Sequence, residues 1–289
     1  MRITFYLSQR SIKQLCAVTA AGSMAFSANA QLLHRYDFST GANDSIGIAN
    51  GTLQGTASIS GGSLNTDGSG GALSGGVPAN GVMLPGSAVA GITGPFTIES
   101  WFIGNFNGGY CTTFSFSDNT RNNYVLATPA RGNFPFASSI SVIGGGGTWT
   151  GPGDTQAGEQ YQDNGALHDM LVTYNGTTLA YYIDGALDSS GWDAANGVSP
   201  TTTDPGLNLS SMTFIGINGG SPWPDNSIKG STLDFRIYGQ SVSSSQAASL
   251  YSLGADANTA SILTTIPEPS ALALVGLGFI SFALRRLCR

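Results

Sequence analysis

Met170-Leu171-Val172-Thr173-Tyr174-Asn175-Gly176-Thr177-Thr178-Leu179-Ala180-Tyr181-Tyr182-Ile183-Asp184-Gly185 is the stretch that decides the fold. Two runs of aliphatic, β-branched and aromatic residues flank an Asn-Gly pair, and an Asp-Gly pair closes the return run. Glycine takes positive φ without steric cost and Asn or Asp tolerates it, so such pairs mark tight reversals between strands. Met170 to Tyr174 and Leu179 to Ile183 are therefore read as an antiparallel hairpin.

Working outward, Phe96-Thr97-Ile98-Glu99-Ser100-Trp101-Phe102 alternates, with Phe96, Ile98 and Phe102 on one face. Leu233-Asp234-Phe235-Arg236-Ile237-Tyr238 alternates in the same way. Glycine supplies 41 of 289 residues, Ser, Thr and Asn are abundant, and long helix-period runs are nearly absent. Short apolar segments punctuated by turn residues predict an all-β antiparallel sandwich. One helix is expected near the end: Ser243 caps it, Gln246 stands at the capping-box position and Gly254 stops it. It is expected to close one end of the sandwich through Leu250 and Leu253.

The two ends read as targeting segments. Arg2, Arg10 and Lys13 precede an apolar stretch from Leu15 to Phe26, and Ala28-Asn29-Ala30 forms an A-x-A cleavage pattern before Gln31. Residues 1–30 are thus a signal peptide, which implies export across the inner membrane. At the other end Ile266-Pro267-Glu268-Pro269-Ser270 leads into the 14 apolar residues from Ala271 to Leu284, then Arg285, Arg286 and Arg289. Such a run makes a helix of roughly 21 Å. That is short of the roughly 30 Å hydrocarbon core, so it spans a membrane only with thinning or snorkelling, as a short transmembrane helix.

The order of parts at this end resembles the PEP-CTERM sorting signals of Gram-negative bacteria, at Pro267, Glu268, Pro269, the apolar run and the pair Arg285-Arg286. The resemblance implies that an exosortase-type membrane enzyme is a partner and that the chain is its substrate. It also implies delivery to the cell envelope, cell surface or extracellular matrix, in company with exopolysaccharide. Contact with the membrane runs through the C-terminal helix at least before processing. The expected layout is 1–30 signal peptide, 31–256 β domain, 257–265 linker and 266–289 sorting signal.

Between the ends, Arg35, Arg121, Arg131, Lys229 and Arg236 stand against all but one of the 17 acidic residues. Nucleic-acid binding needs clustered Lys and Arg to neutralise phosphates, so DNA and RNA partners are excluded. Cys111 is the domain's lone cysteine and is read as a buried small hydrophobe, since no disulfide can form within the domain.

Blocks in a fixed order resemble the LamG-like, or concanavalin A-like, jelly-roll family. They are Leu33-His34-Arg35-Tyr36-Asp37-Phe38 with Ala42 to Ser45 and Asn50 to Leu53, then Phe96 to Trp101, then Leu171 to Gly185, then Leu233 to Tyr238 with the helix ending at Leu253-Gly254. The resemblance covers about Leu32 to Gly254 and implies a jelly-roll sandwich with one short C-terminal helix. The chain departs from it at Leu167-His168-Asp169, where the family usually has Trp-His, and in a Gly-rich insertion around Gly144 to Gly147.

The catalytic inventory is thin. The domain holds His34, His168, Glu99 and Glu159. It lacks the carboxylate cluster a glycosidase draws from one strand, a G-x-S-x-G elbow, and any local zinc or calcium motif. No catalytic residue is assigned and no cofactor is required. By resemblance, one structural calcium would take Asp44, backbone oxygens near Asn50, and Asp234; the alternative is that Asp44 caps a turn and Asp234 pairs with Arg236 or solvent. Trp149, Trp192 and Trp223 sit among loop formers beside Asp and Asn, and indole faces stack on sugars, so these three are the candidate ligand contacts. They cover sheet edges if they do not converge. The function expected is a non-enzymatic surface or matrix protein binding exopolysaccharide or another envelope component. A glycan-active enzyme of the same fold and a purely structural coat protein are the alternatives.

Overall fold

Among the described residues both α-helices follow the last strand. The structure is a computed structural model and describes residues 32–70, 80–105, 111–118, 123–129, 139–143, 164–190, 207–219 and 225–266. Among these residues the strands are β1 (Leu32–Tyr36), β2 (Thr52–Gln54), β3 (Ser58–Ser60), β4 (Ser63–Asp67), β5 (Gly81–Leu84), β6 (Phe96–Asn105), β7 (Cys111–Thr112) and β8 (Phe114–Ser117). They continue with β9 (Tyr124–Thr128), β10 (Ser139–Ile143), β11 (Asn164–Tyr174), β12 (Leu179–Ile183), β13 (Ala186–Ser190), β14 (Phe214–Ile217), β15 (Asn226–Ser227) and β16 (Lys229–Tyr238). An eight-stranded sheet runs β13-β12-β11-β6-β16-β4-β3 with β1 also paired to β16, and a six-stranded sheet runs β10-β9-β8-β14-β5-β2. Both are antiparallel throughout, as the sequence predicts for this fold class.

The alternation read from the sequence sets which side chains meet. Phe96, Ile98 and Phe102 of β6, Met170 and Val172 of β11, and Phe235 and Ile237 of β16 share one buried cluster with Phe114, Phe116, Val125, Ile215 and Ile217 of the other sheet. Phe235 bridges the layers, its ring centroid 5.9 Å from Phe114 and 6.2 Å from Phe116. Cys111 is fully buried in this core. The deciding hairpin pairs Met170 with Ile183 through Tyr174 with Leu179. The Asn175 side-chain oxygen accepts from the N–H groups of Thr177 and Thr178 at 2.9 and 2.8 Å, and Asp184 and Gly185 both take positive φ.

Two helices form a third layer, and here the structure departs from expectation. Helix α1 (Ser244–Leu253) carries the predicted capping box between Ser243 and Gln246 and stops at Gly254, whose φ is 81°. It does not close an end of the sandwich. Ala247 and Leu250 pack instead on Leu171, Tyr182 and Tyr238, the outward side chains of the large sheet, while Leu253 remains 36% exposed. Residues 257–265, expected as a linker, contain helix α2 (Thr259–Thr265), capped by the Asn258 side chain on the Ser261 N–H. Ala257, Ile262 and Ile266 join the same cluster, which also takes in Leu32 of β1. A short Ser/Thr-rich helix has little stability of its own, and tertiary burial of its apolar face is what forms it.

The expected signal peptide with Ala28 and Ala30, the three loop tryptophans, the Gly144 to Gly147 insertion, Pro267 to Pro269 and the apolar run with Arg285 and Arg286 lie outside the described residues. Among the described residues no helix is long and apolar enough to cross a membrane.

Gly81 shows how tightly the second sheet is drawn. Its φ is 141°, and a Cβ there would stand 2.3 Å from the Ile217 carbonyl oxygen, so β5 and β14 must part to admit it. Gly81→Ala is expected to destabilise the domain by about 1 to 3 kcal/mol in urea unfolding, the usual cost of overpacking, whereas Gly86→Ala is expected to cost less because its Cβ meets only open space and its φ is not positive.

Candidate functional site

The outward face of the large sheet carries a dense group of ionisable side chains. Strand register lays them in rungs: Asp169, Trp101 and Asp234 across β11, β6 and β16, then Leu171, Glu99 and Arg236, then Thr173, Thr97 and Tyr238. Arg35 of β1 lies opposite Arg236. Burying these groups is tolerable only with mutual pairing. Arg236, 0% exposed, donates to Glu99 Oε1 at 2.8 Å, to Asp234 Oδ2 at 3.0 and 2.7 Å, and to the carbonyls of Gly254 and Ala255 at 3.2 and 3.1 Å. Arg35 clasps Asp234 from the other side at 2.8 to 3.2 Å and reaches Thr259 Oγ1 at 3.3 Å.

Glu99 also accepts from Trp101 Nε1 at 2.8 Å and from the Tyr238 hydroxyl. Trp101 stacks on Tyr251 of α1, ring centroids 5.7 Å apart and nearly parallel. Asp169 differs from its neighbours: it is 1% exposed and neither carboxyl oxygen has a hydrogen-bond partner among the described residues. Burial, and then the charge of Glu99, push its carboxyl well above the ordinary range despite the opposing pull of Arg236.

Glycoside hydrolysis needs two carboxyl groups that reach the sugar from opposite sides. Glu99 and Asp169 are both buried, and Glu99 is occupied by three donors. The histidines are likewise held by aspartates. His34 Nδ1 lies 2.6 Å from Asp44, and His168 contacts Asp184 at 2.9 Å and Asn164 at 3.1 Å. Neither pair is completed by a serine or cysteine nucleophile among the described residues.

The candidate calcium ligands do not fit the ion. Asp44 accepts backbone N–H groups from Arg35, Ile46, Gly47 and Ala49 at 2.9 to 3.2 Å, and the Asn50 side-chain oxygen takes the Asp44 N–H at 3.0 Å. Burial alone would raise the Asp44 carboxyl, yet these donors and His34 hold it below its ordinary value. Asp234 faces two guanidinium groups, which occupy the place a divalent cation would need. Asp44 is thus a loop cap and Asp234 an ion-pair hub. Among the described residues no three or more His, Cys, Asp or Glu side chains are grouped to hold a metal.

A groove of about 350 Å³ lies between the hairpin turn, at Asn175 and Thr178, and the entry to α1, at Ser241 and Gln246, with Ala180 and Val242 also in its lining. Hydroxyls and amides beside these apolar side chains, with no charged side chain, suit an uncharged polyhydroxylated ligand.

This architecture, two antiparallel sheets around one apolar core, defines the class of sandwich shared by many lectins and glycan-processing proteins. Residues 74–248 match the concanavalin A-like lectin/glucanases superfamily, and the chain belongs to it. Residues 265–287 match the PEP-CTERM protein-sorting motif. That motif implies recognition by an exosortase-type membrane enzyme, and with the fold it makes this an exported protein of the cell envelope or surface. No curated relative matches the chain by sequence.

Among solved structures, domain 4 of AbnA, an extracellular arabinanase from Geobacillus stearothermophilus in complex with arabinotriose, is similar, with TM-score 0.57 and 19% identity over 77% of this chain and 99% of that one. The sialidase of Trypanosoma rangeli in complex with sialic acid is similar with TM-score 0.51 and 13% identity over 76% of this chain, which spans 32% of the sialidase. The binding domain of botulinum neurotoxin serotype G is similar with TM-score 0.50 and 13% identity over 77% of this chain, which spans 51% of it. At such identities these likenesses establish the fold alone.

Arg236→Met is expected to destabilise the domain by about 3 to 5 kcal/mol in urea unfolding, because it leaves Glu99 and Asp234 buried without their shared cation. Asp169 gives a pH test. Its folded carboxyl titrates well above the unfolded value of 3.8, so the folded state binds the extra proton and stability falls as pH rises from about that value toward the folded one. Asp169→Asn is expected to flatten that decline, giving a higher thermal midpoint than the parent at pH 8 and a similar one at pH 4. An unchanged slope would show that Asp169 is ionised and solvated.

Proposed function

We propose that the mature domain is a non-enzymatic surface or matrix module that binds exopolysaccharide or another envelope component after delivery by an exosortase-type system. The observation that carries this reading is the union, on one chain, of a concanavalin A-like sandwich at 74–248 with a sorting motif at 265–287. The buried, fully engaged state of Glu99 supports a structural role for that carboxylate. The uncharged groove beside α1 supports a neutral glycan. Domain 4 of the arabinanase, similar in fold, is a structure with arabinotriose bound, which supports the same reading.

Trp149, Trp192 and Trp223 are proposed as stacking contacts and the groove as a second contact surface. Residues 31–266, purified without the tail, are expected to be retained on the exopolysaccharide of the producing organism. Each Trp→Ala substitution at 149, 192 or 223 is expected to weaken retention about threefold or more, on the scale of one lost aromatic contact. Failure of every polysaccharide to retain the domain would remove the glycan reading and leave a structural coat protein. Release of reducing ends during incubation would turn the assignment toward an enzyme.

A further inference from the structure

The folded domain overlaps the sorting motif. The motif match begins at Thr265. Thr265 is also the last residue of α2, and Ile266, the next, is 1% exposed in the cluster beneath the helices. Pro267 follows Ile266 directly, so no spacer residue separates the last buried side chain from the Pro-Glu-Pro. Helix α2 is fastened by Ile262 and Ile266 in the cluster with Leu263 packed against it, by Ala257 just ahead of it, by Thr259 on Arg35, and through the Gly254 and Ala255 carbonyls on Arg236.

Enzymes that cut or transfer a peptide bond take the substrate as an extended segment on both sides of that bond, and in a folded protein such a segment is reached through local opening. A helix of seven residues held by Ile262, Leu263 and its C-cap Ile266 is a low-cost element to open, because its own hydrogen bonds do not sustain it. We propose that α2 is a releasable strap at the border of the sorting motif: docked, it withholds the N-terminal flank of the Pro-Glu-Pro from the processing enzyme, and its release is a step in processing the folded precursor. Undocked, residues 255–266 extend to about 40 Å at 3.3 to 3.6 Å per residue, enough to offer that flank as an extended chain. The strap itself rests on the packing of α2, and its role in sorting rests on the exosortase reading.

The test separates the two. Pro269→Ser in the full chain makes the peptide bond after Glu268 a substrate for a glutamate-specific endoprotease, with cleavage followed by intact mass. Cleavage is expected to be at least tenfold faster when Ile262→Asp is added, and equally fast when six Gly/Ser residues are inserted between Ile266 and Pro267. The insertion is expected to leave the domain's unfolding midpoint unchanged, which guards against general unfolding by Ile262→Asp. Equal cleavage rates in all three forms would overturn the strap. In producing cells, loss of the tail from the folded precursor is expected to be several-fold faster for the insertion form than for the parent chain, and equal rates would overturn the role in processing. Fast protease cleavage of the insertion form with no tail loss from either chain in cells would retain the strap and retire the sorting reading.

Discussion

Arg236 is the constraint on which the rest of the structure depends. A guanidinium with no access to solvent must find acceptors inside the protein, and this one finds them on β6, on its own strand and on the chain leaving α1. An Arg fork does this with fixed geometry where a Lys could not. Its demands explain why Glu99 and Asp234 occupy outward positions in the middle of a sheet, and why a helical layer must cover them. A two-layer sandwich would leave that face wet; here it becomes a second core, apolar at Leu171, Leu250 and Ile262 and ionic a few residues away.

Local features were legible in the sequence and long-range pairings were not. The hairpin at 170–185, the alternation of β6 and the Ser243–Gln246 box each depend on residues a few positions apart, and the structure has all three. The Arg236–Glu99 bond joins residues 137 positions apart, so its existence depends on register between strands. Asp234 and Arg236 two residues apart on one alternating strand were the available hint, since they had to share a face. The buried face of α1 is not legible in the sequence because Leu250 and Leu253 look alike until the sheet beneath Leu250 is known. Residues 257–265 look like a linker in sequence because their Ser and Thr content masks two isoleucines spaced to meet one surface, at 262 and 266.

The two readings of Asp44 and Asp234, calcium ligands or internal partners, rest on one sequence pattern. A loop aspartate near an asparagine is the same pattern whether it binds a metal or caps backbone N–H groups, and the neighbours decide. Here His34 and Arg35 adjoin Asp44 and Asp234, and a basic side chain beside each candidate carboxylate favours internal pairing over a cation from solution. The loop tryptophans, by contrast, keep their standing from the sequence, as the proposed route to a glycan.

The position of β16 has a consequence for the order of events during synthesis. It lies between β6 on one side and β1 and β4 on the other, yet it is the last strand among the described residues. Pairings of such long sequence separation form late. The large sheet stays divided, with its N-terminal strands lacking their central partner, until residues 229–238 have been delivered. A chain threading outward through the inner membrane therefore remains without its completed fold for most of its passage, and the strand that closes the sheet arrives only about thirty residues ahead of the sorting motif.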